Sequence, residues 1–301
     1  MRRIFAAAIA AAALLTISGA SAAEALFSNK IKGTGNKIIE NRKSAMNFNE
    51  IEIAGPIDLT ISERRTGDIL VRADENIIRL VRMEVRDGKF RASLSYSDAI
   101  EGNLRVEIEM PYNQRIDEIS ASAASTVTVE PLLVAEEIEL KAVGASRLRA
   151  AIRASSVEVE LGGASSADLT IKGEEVDISA WGASSLNNLA INAVECEIYA
   201  TGASKITSSV IASKCEGEAA GASKITLSGE ANISEFSIIG ASKLNAANLV
   251  TNTCKVEASG ASSASVNCTN TLNAKSSGAS KISYRGNCHL IGGSESVTKQ
   301  E

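Results

Sequence analysis

The chain has 301 residues, a formal net charge of -5 and only 3% aromatic residues. Charges of both signs are interspersed, which excludes the basic stripe that marks a nucleic-acid partner. So few rings also argue against a bulky interlocking core and for one filled by Ala, Val, Ile and Leu.

Residues 1–23 read as a secretory signal peptide. Arg2 and Arg3 form the charged start, Ile4 to Ile17 the apolar stretch, and Ser18 to Ala23 the small residues of a cleavage site. The apolar run falls short of the roughly 20 residues that a membrane span needs. The mature chain is therefore expected to be periplasmic or secreted, and not an integral membrane protein after cleavage. Residues 24–45 are polar, with a Gly33-Thr34-Gly35 turn, and read as a leader or linker.

From Phe48 the pattern turns to strand alternation. Ile51 and Ile53, then Ile57, Leu59 and Ile61, alternate with polar neighbours around Gly55. Ile69 and Val71 predict another strand, and Ile77 to Leu80 a turn or short helix. Met83 to Arg86 and Phe90 to Leu94 flank Asp87-Gly88, a strong hairpin signal because both turn residues must accept positive φ. Leu104 to Met110 alternates again and ends at Pro111. Residues 46–122 are thus expected to be an opening coil followed by a hairpin-bearing cap that covers the end of a stack.

The next stretch is periodic. Gly-Ala-Ser occurs eight times, starting at Gly144, Gly163, Gly182, Gly202, Gly221, Gly240, Gly260 and Gly278, at steps of 18 to 20 residues. A degenerate copy, Ala123-Ala124-Ser125, precedes them. A fixed short period marks a stacked repeat. Counting each Gly as zero, apolar residues occupy even offsets. Position -6 holds Ile138, Val157, Val176, Cys196, Cys215, Cys254 and Leu272, and position +4 holds Leu148, Ala167, Leu186, Ile206, Ile225, Leu244, Ala264 and Ile282. That is the period-2 signature of strands with one buried face. The coil before Gly240 departs, with Phe236 at -4 and Ser234 at -6.

Two or three strands per coil, with turns at Gly, predict an all-β fold: a single-stranded parallel β-helix of about 19-residue coils over residues 123–291. Each coil should climb about 4.8 Å. The Leu and Asn framework of a leucine-rich repeat is missing. Residues 292–301 are expected to be a disordered tail.

The pattern around Phe48 to Ile61, the hairpin Met83 to Leu94 and the Gly-Ala-Ser-Lys-Ile repeats resemble the putative auto-transporter adhesin, head GIN domain family. The resemblance covers about residues 46–285. That family is a domain of unknown function in exported bacterial proteins, and the resemblance implies a right-handed parallel β-helix. Its motif is structural and brings no catalytic residue with it.

Stacking turns sequence offsets into surface columns. Position +3 places Lys205, Lys224 and Lys243 in succession, a candidate ladder for an anionic polymer or partner. Position -5 reads Glu139, Glu158, Asp177, Glu197, Glu216 and Glu235, a candidate cation-binding column, since stacked carboxylates can offer several oxygens to Ca²⁺. Neighbouring like charges at that spacing repel by about 0.9 kcal/mol in water. Trp181 and Tyr199 fall on odd, outward offsets of adjacent coils and form a candidate aromatic contact for a sugar ring.

Five cysteines lie in the repeat half, an odd number that leaves at least one thiol unpaired. Cys268 with Cys288 is the candidate disulfide. Cys196 and Cys215 share an inward offset on adjacent coils, where small apolar filling is the ordinary use of a buried thiol, though stacked positions are also near enough for a disulfide if their Cβ atoms face each other.

No catalytic set is expected. The only histidine, His289, stands in the terminal coil with no serine and carboxylate tied to it, and no cofactor motif occurs. The resulting expectation is a non-catalytic, adhesin-like binding module of the cell envelope, its partner an envelope or extracellular polymer or protein. A polysaccharide lyase or hydrolase working on the carboxylate face is the alternative, and a ligand-free structural rod a second.

Overall fold

A computed structural model describes residues 31–95, 100–101, 104–293 and 295–300. The proposed signal peptide lies outside the described residues. The chain forms a parallel β-solenoid with one short helix, Glu75–Ile78, among the described residues. Its coils stack residue on residue. Glu137–Ala142 pairs with Ser156–Leu161, and Ser156–Leu161 with Glu175–Ala180, each in parallel and without a slip. From Ser185 onward, successive sides merge into bent strands of 14 to 16 residues, such as Ser185–Ala200 and Lys243–Ala258. Inward even offsets build one continuous apolar core, from Phe48 to Ile282.

The Gly-Ala-Ser triplet is the corner that permits this stacking. All eight glycines have φ between 70° and 81°, a conformation that costs an L-residue steric strain. Space is short as well: a Cβ on Gly202 would lie 2.8 Å from the Gly182 carbonyl oxygen of the coil below. That carbonyl accepts a 2.7 Å hydrogen bond from the Ala203 amide, so the backbone ladder continues around the corner. The serines are buried. Ser223 Oγ donates to Ala200 O at 2.9 Å, Ser242 Oγ lies 2.8 Å from Ala219 O, and Ser262 Oγ donates to Ile238 O at 3.0 Å. Each of these three hydroxyls ties its corner to the strand end of the preceding coil. The degenerate corner uses Ala123 and Ala124 at positive φ, 53° and 70°.

Phe236 explains the irregular coil. Its ring occupies the space above Gly217, where a Cβ would lie 2.9 Å from Phe236 Cδ1. One large and one absent side chain share a single core volume.

The N-terminal end departs from chain order. Glu50–Ala54 is sandwiched between Lys89–Leu94 and Glu118–Ser122, and Ile57–Ser62 between Val106–Pro111 and Thr126–Val134. The coil at residues 50–62 is therefore the second layer; the chain leaves it, returns beneath it, and only then climbs. The expected hairpin forms as Val81–Arg86 and Lys89–Leu94 about Asp87 and Gly88, both at positive φ. The polar leader is only partly a linker, because Lys37–Arg42 pairs antiparallel with Ile69–Asp74, which in turn pairs antiparallel with Val106–Pro111. Ile38 packs on the core there, which supplies the reason to order a polar segment. At the other end, part of the stretch expected to be a disordered tail is a strand. Val297–Lys299 pairs with Ile282–Tyr284, with Val297 packed against the core.

The corner geometry separates strain from stacking by experiment. Gly35 has φ 76° with nothing within 4 Å of its would-be Cβ, whereas Gly202 has φ 73° and meets backbone. Gly35→Ala should cost about 1 kcal/mol in urea denaturation and Gly202→Ala about 2 to 4 kcal/mol, the excess measuring coil-on-coil contact. Ser223→Ala should cost about 1 kcal/mol or more, since it leaves a buried carbonyl without its side-chain donor.

Candidate functional site: charged ladders on the solenoid surface

The outward odd offsets form two unlike surfaces. On one side the register aligns Glu50, Glu118, Glu139, Glu158, Asp177, Glu197, Glu216 and Glu235 in one column. Lys89 lies next to Glu50 at one end and Lys255 next to Glu235 at the other. Glu50 and Glu118 extend the column predicted from the repeats. Counting five residues back from Gly55 and from Ala123, the corners of their coils, would have found both. Comparing 49–55 directly with 136–141 instead places Ile51 on Ile138, two residues out of register. A two-residue shift leaves the alternation unchanged and so is invisible to it.

The ends of the column are neutralised. Lys89 Nζ lies 2.7 Å from Glu50 and 3.8 Å from Glu118, and Lys255 Nζ is 3.6 Å from Glu235. Lys214 pairs with Glu216 at 2.7 Å. The middle is not: Glu139, Glu158, Asp177 and Glu197 form no ion pair among the described residues. Asp177 carries the strain of this arrangement. Its Oδ1 is shielded from solvent and has no hydrogen-bond partner. Burial first, then the charges of Glu197, Glu175 and Glu158, push its pKa up to about 6. Among the described residues no group of three or more His, Cys, Asp or Glu is arranged to hold a metal ion. Strand geometry keeps these carboxylates parallel rather than convergent.

The other surface is basic. Lys205, Lys224 and Lys243 pair in direct succession, flanked by Ser185 and Ser263. All three are exposed, and none has an acidic partner within ion-pair distance among the described residues. Beside them, two residues along each strand, runs a column of Thr207, Thr226 and Asn245. It presents hydroxyl and amide groups at the same spacing as the ammonium groups.

Trp181 and Tyr199 face in different directions. The Trp181 indole lies over Gly162 of the preceding coil, where a Cβ would come within 2.5 Å of it. Tyr199 instead lines a shallow groove with Glu216, Glu218, Glu235 and Lys255 on the following coils, floored by Gly217 and Phe236. Its hydroxyl donates to Glu197, and burial, that hydrogen bond and the surrounding carboxylates raise its pKa.

All five cysteines are free thiols in the structure, so the bond predicted between Cys268 and Cys288 is not formed in it. Cys196 and Cys215 stack directly, fully buried, on neighbouring strands.

These features define a β-solenoid whose faces display extended, regularly spaced charge rather than a single reactive centre. A family model with the description "Putative auto-transporter adhesin, head GIN domain" matches residues 47–213 and 188–288. The chain belongs to this family. Two solved structures from Parabacteroides distasonis ATCC 8503 share its fold. A putative adhesin is 19% identical with a TM-score of 0.51, the alignment covering 90% of this chain and 100% of that one. A putative lipid binding protein is 15% identical with a TM-score of 0.52, covering 91% and 100%. No curated protein matches the chain. No helix among the described residues is long and apolar enough to cross a membrane.

The acidic column makes stability depend on pH with a definite sign. Asp177 holds its proton more tightly folded, at about 6, than at the ordinary value of 3.8. Its unfavourable contribution is complete above pH 6 and is relieved as pH falls toward 3.8. Asp177→Asn should therefore stabilise the protein at pH 8 by about 1 to 2 kcal/mol, allowing for partial solvent screening. The gain should nearly vanish at pH 4, as read from urea midpoints.

Proposed function

We propose that this chain is an exported, non-catalytic binding module that attaches to an anionic polymer of the cell envelope or of an extracellular surface through the lysine ladder. The observation that carries this reading is the uninterrupted run of Lys205, Lys224 and Lys243, exposed, in register and without acidic partners among the described residues. Uncompensated charges at a fixed spacing of about 4.8 Å match a chain of repeating anionic groups better than a compact ligand. The adjoining Thr207, Thr226 and Asn245 column adds hydrogen-bonding groups along the same line.

The acidic column faces elsewhere and favours contact by one side of the rod only. It would repel the same polymer and so orient it. Family membership supports an attachment role, and the uniformity of both ladders supports recognition of extended material over turnover at one centre.

Retention of the full chain on immobilised dextran sulfate, with neutral dextran as control, tests the proposal. The wild type should bind the sulfated matrix and elute with salt. The variant with Lys205→Gln, Lys224→Gln and Lys243→Gln should elute at markedly lower salt, with an affinity drop of about tenfold or more at low ionic strength. Equal retention of the two proteins, or none of the wild type, would refute it.

A further inference from the structure

Four of the five thiols are buried in the core, and the fifth, Cys288, is half-buried at the C-terminal end. It lies in the coil stacked on that of Cys268. Asn267 pairs with Arg285 and Thr271 pairs with His289, so two three-residue bends, 268–270 and 286–288, are stacked between paired strands. The bends are drawn close, since a Cβ on Gly286 would lie 2.1 Å from the Cys268 carbonyl oxygen. The Cys268 thiol points into the bend, its Sγ 3.1 Å from Thr271 O and 3.3 Å from Asn252 O. Burial, and after it the neighbouring Cys268 thiol, raise the Cys288 pKa.

The other cysteines lack this combination. Cys196 and Cys215 stack, yet both are sealed from any oxidant. Cys254 is separated from Cys215 by Ser234 in the intervening coil.

We propose that Cys268 and Cys288 are a redox-responsive staple that locks the last coil onto the one before it. The Cys288 thiolate attacks one sulfur of an external disulfide, forming a mixed disulfide and releasing one thiol of the oxidant. Cys268 then attacks the Cys288 sulfur, forming the internal bond and releasing the second thiol. Two protein thiols are oxidised, one external disulfide is reduced to two thiols, and the two protons pass to those thiols.

The bond would close a loop between residues 268 and 288 that includes the strand Lys281–Arg285. Beyond it, the terminal strands His289–Gly292 and Val297–Lys299 have no further strand partner among the described residues. An open sheet end of this kind frays first and offers its edge to other chains, and the staple would hold it in place.

The full chain, incubated with oxidised glutathione, then denatured, alkylated and digested without reductant, gives the test. A Cys268–Cys288 linked peptide is expected, with alkylation confined to Cys196, Cys215 and Cys254. Limited proteolysis within residues 281–300 should slow about tenfold on oxidation and recover with reductant. In Cys288→Ser, a substitution at a half-buried position that keeps the fold, oxidation should leave that rate unchanged. Five alkylated thiols, a bond between any other pair, or a linked peptide without slower proteolysis would overturn the proposal. None of these outcomes depends on polymer binding.

Discussion

The structure rests on one close approach: the corner of each coil must sit one strand spacing above the corner below. Gly163, Gly182, Gly202, Gly221, Gly240 and Gly260 each bring the site of a missing Cβ to within 2.8 to 2.9 Å of the preceding glycine's carbonyl oxygen. Any larger residue there would push the coils apart. Positive φ turns the chain, the following alanine amide bonds that same carbonyl, and the buried serine anchors the corner to the preceding strand. Three small residues thus fix the rise of the solenoid, and with it the neighbours of every other residue.

A fixed rise has electrostatic consequences. A residue type repeated at one offset becomes a row of like groups a few ångströms apart, whether or not that is favourable. On the acidic face the ends of the row are relieved by Lys89 and Lys255, while Asp177 in the middle keeps an unpartnered oxygen and a raised pKa. On the basic face no carboxylate among the described residues relieves Lys205, Lys224 and Lys243. Their separation by strand geometry and their long, flexible stems keep the mutual repulsion small in water, which leaves them available for an external partner.

The two ends of the rod are finished differently. The N-terminal end is closed by antiparallel strands, Lys37–Arg42, Ile69–Asp74 and Val81–Arg86, which run against the parallel stack and interrupt its edge. The C-terminal end keeps the parallel arrangement to its last strands and relies on Val297 and Leu290 packing beneath the final coil. It is the end where two thiols meet.

Most of the repeat was legible in the sequence, because a period near nineteen and an alternation of two leave each side chain only one place to go. The corner glycines, the inward residues and both charge columns follow from counting offsets. Local pattern could not supply the layer order at the N-terminus. Glu50–Ala54 and Lys89–Leu94 alternate alike, and only pairing shows that the later strand lies beneath the earlier one. Nor could it show that Trp181 leans back over Gly162 while Tyr199 faces the next groove, since outward offsets fix a side but not a direction along the rod. Sequence determined the rise, the core and the faces. The tertiary structure alone decided how the rod is closed at its ends, because that depends on contacts between segments that share no repeat.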